Sequence, residues 1–359
     1  MYSKEEILEK LSSIKYPGFG KSIVDFKFVK EAISDNEGIK ITIDIPSSSQ
    51  DIQKELEIGI HDLFEGENLK LNINTPKIEK ETPKQPEKKN IAPTIKNFVM
   101  VSSGKGGVGK STTSLNLAIA LASNGKKVGL LDADIYGPNI PRMMALEGVK
   151  PQIDSNKKII PLEAYGIKMV SMGSLIKSGQ ALIWRGAMVM KVITQLLRDI
   201  NWGELDILVI DMPPGTGDAQ LTLAQSVPVT LGICVTTPQV VSLDDTSRSL
   251  DMFKKLNINV AGIVENMSGF LCPDNGKTYD IFGRGTTDEI AQMYKTEVLA
   301  HIPIEIDTRI GGDEGKPIMY FNPSCASSKE YIKIANSVIS KLEVIEKDGG
   351  VDNASIQPS

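Results

Sequence analysis

The chain has 359 residues, 41% hydrophobic and 24% charged, with a formal net charge of −5. That is the balance of a globular protein long enough for two domains and connecting segments. The acidic balance argues against a nucleic-acid binder that works by overall charge, the 5% aromatic content leaves little for base stacking, and no apolar run reaches the roughly 18–20 residues needed to span a bilayer.

Residues 1–73 read as a small α+β domain. EEILEKLSSI carries Ile7, Leu8, Leu11 and Ile14 at helical spacing, IKITIDI alternates as a strand does, and DIQKELEIGIHDLF returns to helical spacing. The polar N-terminus has no apolar signal centre, which places the expected location in the cytoplasm. Residues 74–94, including TPKIEKETPKQPEKKNIAP, hold Pro, Lys and Glu with almost nothing apolar, the composition of a linker. From 95 to 343 short apolar runs, NFVMVSS, KVGLLDAD, DILVIDMP, TLGICVTT and INVAGIVEN, alternate with helical segments. The expected fold class is α/β, a mostly parallel sheet with helices on both faces. Residues 344–359 end polar and are expected as a flexible tail with no amphipathic, membrane-lying pattern.

Within the larger domain, Gly104–Ser111 fits G-x-x-x-x-G-K-[ST] directly after a strand and before a helix. The glycines let main-chain N–H groups curl around phosphates, and the helix directs its positive end at them. Gly104, Lys105, Gly106, Gly107, Val108, Gly109, Lys110, Ser111 and Thr112 are therefore the expected ATP-binding loop. Lys110 is placed to reach the outer phosphates and Ser111 to ligate Mg²⁺. Lys105 is a second lysine that a phosphate cradle does not require. Its expected role is catalytic, stabilising charge on a partner's nucleotide across a dimer interface as an arginine finger does.

Two strand ends carry carboxylates. GLLDADIYGPN sets Asp132 and Asp134 beyond one apolar strand. Asp134 is expected to orient the attacking water, and Asp132 to close the strand by bonding the phosphate loop. ILVIDMPPGTGD ends another strand at Asp211, suited to Mg²⁺, and its Pro-Pro-Gly-Thr-Gly turn suits a γ-phosphate sensor. A lone aspartate at a strand end is most often a cap; two beside a phosphate loop favour the metal and the water. Asn266, after INVAGIVE, lies at the carboxyl edge where open α/β sheets bind ligands, and its amide is expected to read an adenine edge.

The stretches GKGGVGKST, DADIYGPNIPRMM, IWRGAMVMKVITQLLRDINWGELDILVIDMPPGTGDAQLTLAQSVPV and GIVENMSGFLCP closely resemble the Mrp/ApbC family, deviant-Walker P-loop ATPases that carry iron–sulfur clusters. The related MinD and ParA positioning ATPases share the loop but not WRGAMVMK or DMPPGTGDAQLTLAQ. The front domain, with YPGFGKSIVDFKFVKEAI, also looks like the small assembly domain of bacterial members. The resemblance implies a homodimer with ATP near the interface, slow hydrolysis, a cluster bridged between subunits, and apo clients and an assembly scaffold as partners. Lys105, Lys110, Ser111, Asp134, Asp211 and Asn266 occupy the family's positions.

One position departs from that pattern. The family reads Cys-Pro-x-Cys-Gly after ENMS, so that two subunits offer four thiolates to a [4Fe–4S] cluster. Here the segment is Cys272-Pro273-Asp274-Asn275-Gly276. Three readings stay open: Cys272 from two subunits holds a labile cluster with small thiols or a client completing it; Cys325 completes the set; or the chain is a cluster-free scaffold or regulatory ATPase. Cys234, inside LGICVTT, reads as core, and three cysteines make no disulfide framework. His61 and His301 stand in unrelated contexts that form neither a zinc pattern nor a catalytic triad. The front domain has serines where the family often carries a cysteine, so it is expected to dock clients or partners, or to pack against the ATPase domain.

Overall fold

A computed structural model of the chain describes residues 2–17, 20–35, 38–47, 50–75, 92–134, 137–172, 196–217, 220, 221, 224 and 229–349. The chain divides into two compact units, Met1–Glu87 and Lys88–Ser359. In the first, helix α1 (Lys4–Leu11) starts with a capping box: Glu6 N–H donates to Ser3 Oγ at 3.2 Å and Ser3 N–H to the Glu6 carboxylate at 2.7 Å. Strands β1 (Val29–Asp35), β2 (Gly38–Asp44) and β3 (Leu69–Asn74) form one sheet, antiparallel between β1 and β2 and parallel between β2 and β3. Alternation along β2 sends Ile39, Ile41 and Ile43 inward. They meet Ile7 and Leu11 of α1 and Leu56 and Ile60 of α2 (Gln50–Leu63) in one core. Tyr16, Phe26 and Phe28 add a ring cluster, Phe26 stacked on Phe28 with centroids 5.2 Å apart.

The second unit is built on a nine-stranded sheet. Its strands are β4 (Ile95–Ser102), β5 (Val128–Asp132), β6 (Leu162–Ala164), β7 (Ile167–Ser171), β8 (Leu205–Asp211), β9 (Leu231–Thr236), β10 (Val260–Leu271), β11 (Thr278–Tyr279) and β12 (Val298–Ile304). The order β10-β9-β4-β8-β5-β7 is parallel throughout, β12 joins β10 in parallel, and the short β6 and β11 close the path antiparallel. Strands this apolar are covered on both faces. Val99 and Val101 of β4 face a cluster with α3 (Lys110–Ser123) and α9 (Ala326–Lys347). Phe98 and Met100 face the opposite cluster, which takes in Trp202 and the Phe253 ring of α5 (Val240–Lys255). Shorter helices are α4 (Ile140–Met143), α6 (Thr286–Met293), α7 (Ile306–Glu314) and α8 (Ile318–Phe321).

Register places the chemistry. Asp132 of β5 lies beside Asp211 of β8 and Ser171 of β7, and Glu265 of β10 lies beside Thr236 of β9 and His301 of β12. The carboxyl ends of these strands therefore gather at one edge of the sheet, together with the β4–α3 loop. Most of the stretch expected as a linker, the WRGAMVMK segment and residues 350–359 lie outside the described residues. Helix α9 continues through Lys347, into the stretch expected as tail.

Candidate functional site

The loop between β4 and α3 turns through Gly107 and Gly109, at φ 80° and 83°. Both lie in the left-handed region that glycine enters without strain. At Gly109 a side chain would also overlap the Asn266 amide, and at Gly104 it would overlap the Asp245 main chain, so the loop is pressed between two neighbours. Gly106, Gly107, Gly109, Lys110, Ser111 and Thr112 all line a cleft of about 730 Å³. Such a cradle of main-chain N–H groups before a 14-residue helix fits a phosphate chain.

Asp211 is the centre of the site. Its carboxylate is fully buried and takes Lys110 Nζ at 2.8 Å, Ser111 Oγ at 2.6 Å and Ser114 Oγ at 2.7 Å. Ser114 was not singled out in the sequence; it lies one helical turn beyond Lys110, on the same face of α3, and also bonds the Lys110 carbonyl at 3.0 Å. Ser111 lines the cleft, whereas Asp211 does not. The hard-oxygen donor set fits Mg²⁺, with Ser111 as the contacting group and Asp211 acting through that hydroxyl.

Asp132 and Asp134 separate into two environments. Asp132 is fully buried and accepts from Ser171 Oγ at 2.9 Å and from the Asp134 N–H at 3.2 Å. The expectation that Asp132 bonds the phosphate loop is thus corrected: the loop's lysine is taken by Asp211, one strand over. One ammonium serves two buried carboxyls here. Burial first, and the Asp211 charge second, push Asp132 up to about 8. Asp134 lies past the strand end, accepts from the Gly137 N–H at 3.2 Å and lines the cleft, opposite in character to its neighbour.

The remaining predicted residues come to the same cleft. Lys105 lines it and bonds Gln239 Oε1 at 3.4 Å. Pro214 lines it too, in a turn pinned by the Gly215 N–H to the Ser103 carbonyl at 2.9 Å and by Gln220, whose Nε2 reaches the Pro213 carbonyl at 3.3 Å. Asn266 lines the cleft as well, and its Nδ2 donates to the Val108 carbonyl at 2.9 Å, so that group braces the phosphate loop. The far wall, unread in the sequence, consists of Met267, Pro303, Ile304, Glu305, Thr308 and Arg309, with Arg142 and Asp313 nearby. VLAHIPI is broken by His and Pro, which hid the strand that delivers it.

Beyond Asn266, β10 ends in a tight hairpin. Leu271 pairs with Thr278, the Cys272 N–H donates to the Lys277 carbonyl at 2.9 Å, and the Gly276 N–H donates to the Cys272 carbonyl at 2.9 Å. Cys272 is half-buried. Asn275 is a turn residue: its Oδ1 accepts from the Lys277 N–H at 2.9 Å and its Nδ2 donates to the Tyr279 hydroxyl at 3.2 Å. Cys325 has separate employment as the N-cap of α9, accepting from the Ser328 N–H, and burial raises its thiol. Cys234 is core, its thiol pushed up to about 12 by burial. Among the described residues no three His, Cys, Asp or Glu side chains gather as metal ligands, and no helix is long and apolar enough to cross a membrane.

The raised Asp132 carboxyl makes a pH prediction. Asp132 changes from an ordinary value of 3.8 when unfolded to about 8 when folded. Between these values the native state holds the extra proton, so this group's contribution to stability falls as pH rises through the window. Asp132→Asn removes the contribution: denaturation curves from pH 5 to 8 should show the variant gaining on the native chain by up to about 1.4 kcal/mol per pH unit. Parallel profiles would show that Asp132 is ionised in the fold.

Residues 94–339 match the family described as NUBPL iron-transfer P-loop NTPase. An iron-sulfur cluster carrier protein of Helicobacter pylori is 52% identical over all of this chain and 98% of its own length. The mouse iron-sulfur cluster transfer protein NUBPL is 45% identical over 69% of this chain and 78% of its own. Among solved structures, a nucleotide-binding protein of Archaeoglobus fulgidus in complex with ADP is similar at TM-score 0.58 and 36% identity, over 67% of this chain and 98% of that one. The Pyrococcus furiosus cell division ATPase MinD, 22% identical at TM-score 0.54 over 68% of this chain and 98% of its own, shares the fold. With its phosphate loop, carboxylate-bearing strand ends and parallel sheet in the same chain, the protein belongs to the NUBPL iron-transfer family of P-loop NTPases.

Proposed function

We propose that the protein is a homodimeric, ATP-hydrolysing carrier that takes an iron–sulfur cluster, [4Fe–4S] in type, from an assembly scaffold and loads it onto apoproteins in the cytoplasm. The observation that carries the reading is the convergence of Lys110 and Ser111 on buried Asp211, with Asp134 across the same cleft. The named carriers at up to 52% identity supply the cargo.

In this reading the loop amides hold the phosphates of ATP and Lys110 neutralises the outer ones. Ser111, supported by Asp211, would hold Mg²⁺, which would supply positive charge to the phosphate oxygens. Asp134 accepts a hydrogen bond from the attacking water, directing its oxygen at the γ-phosphorus, and the products are ADP and phosphate. Lys105 needs a partner: it sits at the cleft's rim on Gln239, from where a second copy's nucleotide is its natural target. Cys272 of each copy ligates the cluster, and the remaining iron sites fall to small thiols or the client, which suits cargo that must be released. The front domain docks clients.

A second reading, a cluster-free scaffold or regulatory ATPase of the same fold, is favoured by one observation. Asn275, where the family has its second cysteine, is spent on the turn through both amide groups, which leaves one thiol per hairpin.

Anaerobic reconstitution with iron and sulfide separates the two. The native chain should acquire stable visible absorbance and Cys272→Ala should lose most of it; colourless native protein would favour the cluster-free reading, and equal colour in both would remove Cys272 from the account. For the ATPase, Lys105→Ala should bind nucleotide as the native chain does while phosphate release slows by about 10³-fold, the low end of what such a finger contributes. Unchanged release would mean that Lys105 is only a solvated rim residue.

A further inference from the structure

Glu265 is buried at 1% exposure, yet it has no part in the chemistry above. A carboxylate is expensive to bury unless it is engaged. It stands just before a second shift in the β12 register. The pairing of β10 slips once against β9, between Val260 and Gly262, and once against β12, between Ile263 and Val264; it then runs in step with β12 from Val264 to Asn266, and between Asn266 and Phe270 the β12 register shifts again. Within that shift Met267 has φ 59° and Gly269 φ 78°. A positive φ at a methionine is rarely adopted, so something must hold it there.

The holding contacts converge on one oxygen. Ser268 Oγ, inside the bulge, donates to Glu265 Oε1 at 2.5 Å, and His301 Nδ1, from the neighbouring strand, lies 2.9 Å from the same atom. Burial raises the Glu265 carboxyl, but polar contacts led by Ser268 outweigh it and hold the group below its ordinary range. The two flanks of the bulge are the two functional ends of the strand. Immediately before it, Asn266 grips the Val108 carbonyl of the phosphate loop. Immediately after it, Phe270 and Leu271 enter the hairpin that carries Cys272.

We propose that Glu265, Ser268 and His301 form a latch that fixes the β10 bulge, through which a change at the phosphate loop is passed by Asn266 to the Cys272 hairpin. This rests on the reading of the loop as a nucleotide site and of Cys272 as the cargo contact, and it adds the element that joins them. The three residues are positioning residues; none of them lines the nucleotide cleft. A bulge is suited to the task because adding or releasing one residue of register moves everything beyond it as a unit.

The test is the alkylation rate of Cys272 by iodoacetamide, followed by mass spectrometry of its own peptide, with and without a magnesium-bound, non-hydrolysable ATP analogue. In the native chain the analogue should change the rate by about fivefold, the scale of ordinary coupling between sites. Ser268→Ala and His301→Ala should flatten the response to under about twofold while binding a fluorescent nucleotide as tightly as the native chain; Ser268→Thr and His301→Gln, which keep the donors, should restore it. A full response in both alanine variants overturns the latch, and so does a native chain that binds the analogue with no change at Cys272. A native chain that binds no fluorescent nucleotide overturns the functional reading itself and the latch with it, and is read in a separate channel. Should the alanine variants fail to fold, deuterium exchange of the native chain decides: the analogue should alter protection across residues 267–272, and unaltered protection there contradicts the proposal.

Discussion

The site depends on one buried carboxylate. Asp211 has no contact with the cleft, but the lysine and the first hydroxyl of the phosphate loop both end on it. Removing one member of such a buried ion pair costs about 3–5 kcal/mol, because the survivor is left charged and unpaired. The loop's functional groups are therefore held in place by the sheet and not by the loop, and the third bond, from Ser114, ties the first turn of α3 to the same atom pair. A phosphate chain entering the cleft meets groups already oriented, which reduces the ordering cost of binding.

The same arrangement explains why the second carboxyl beside it behaves differently. Asp132 shares the buried edge with Asp211 across paired strands, and a single lysine cannot neutralise both. Burial and the Asp211 charge consequently raise the Asp132 carboxyl, which accepts from the Ser171 hydroxyl and the Asp134 N–H. Asp134, two residues on, lines the cleft and accepts from the Gly137 N–H. Two aspartates separated by a single alanine thus meet different surroundings: Asp132 pairs with Ser171 inside the sheet edge, and Asp134 lines the cleft.

Much of this was legible in the chain. The loop, the two carboxylate-bearing strand ends and the five apolar runs each obey a local rule, and each local rule agreed with the parallel sheet. What escaped reading was contact across the sequence. That Lys110 would choose Asp211 over Asp132 is a matter of which strand neighbours β4, and nothing within GLLDAD states it. Asn266 was placed at the correct edge, but its bond to a main-chain carbonyl 158 positions away in sequence had no local signal. Strand β12 was missed where His and Pro interrupt its apolar run, and with it went the Glu265–His301 pair. Cys325 had no local signal to separate ligand from cap; its first-turn partner Ser328 decides for the cap.

The departure at Asn275 acquires a physical sense in the hairpin. A second thiolate there would have to replace a side chain that closes the turn from both sides, so the single Cys272 is built into a stable loop and not left over from a damaged one. The functional reading of both the cleft and the hairpin depends on a nucleotide being gripped at the phosphate loop. The most direct measurement is calorimetric titration of ATP into the pure chain with and without magnesium, alongside Lys110→Ala. The account predicts magnesium-dependent heat at one nucleotide per chain that the variant abolishes; no such heat from the native chain, or the same heat from the variant, would contradict it.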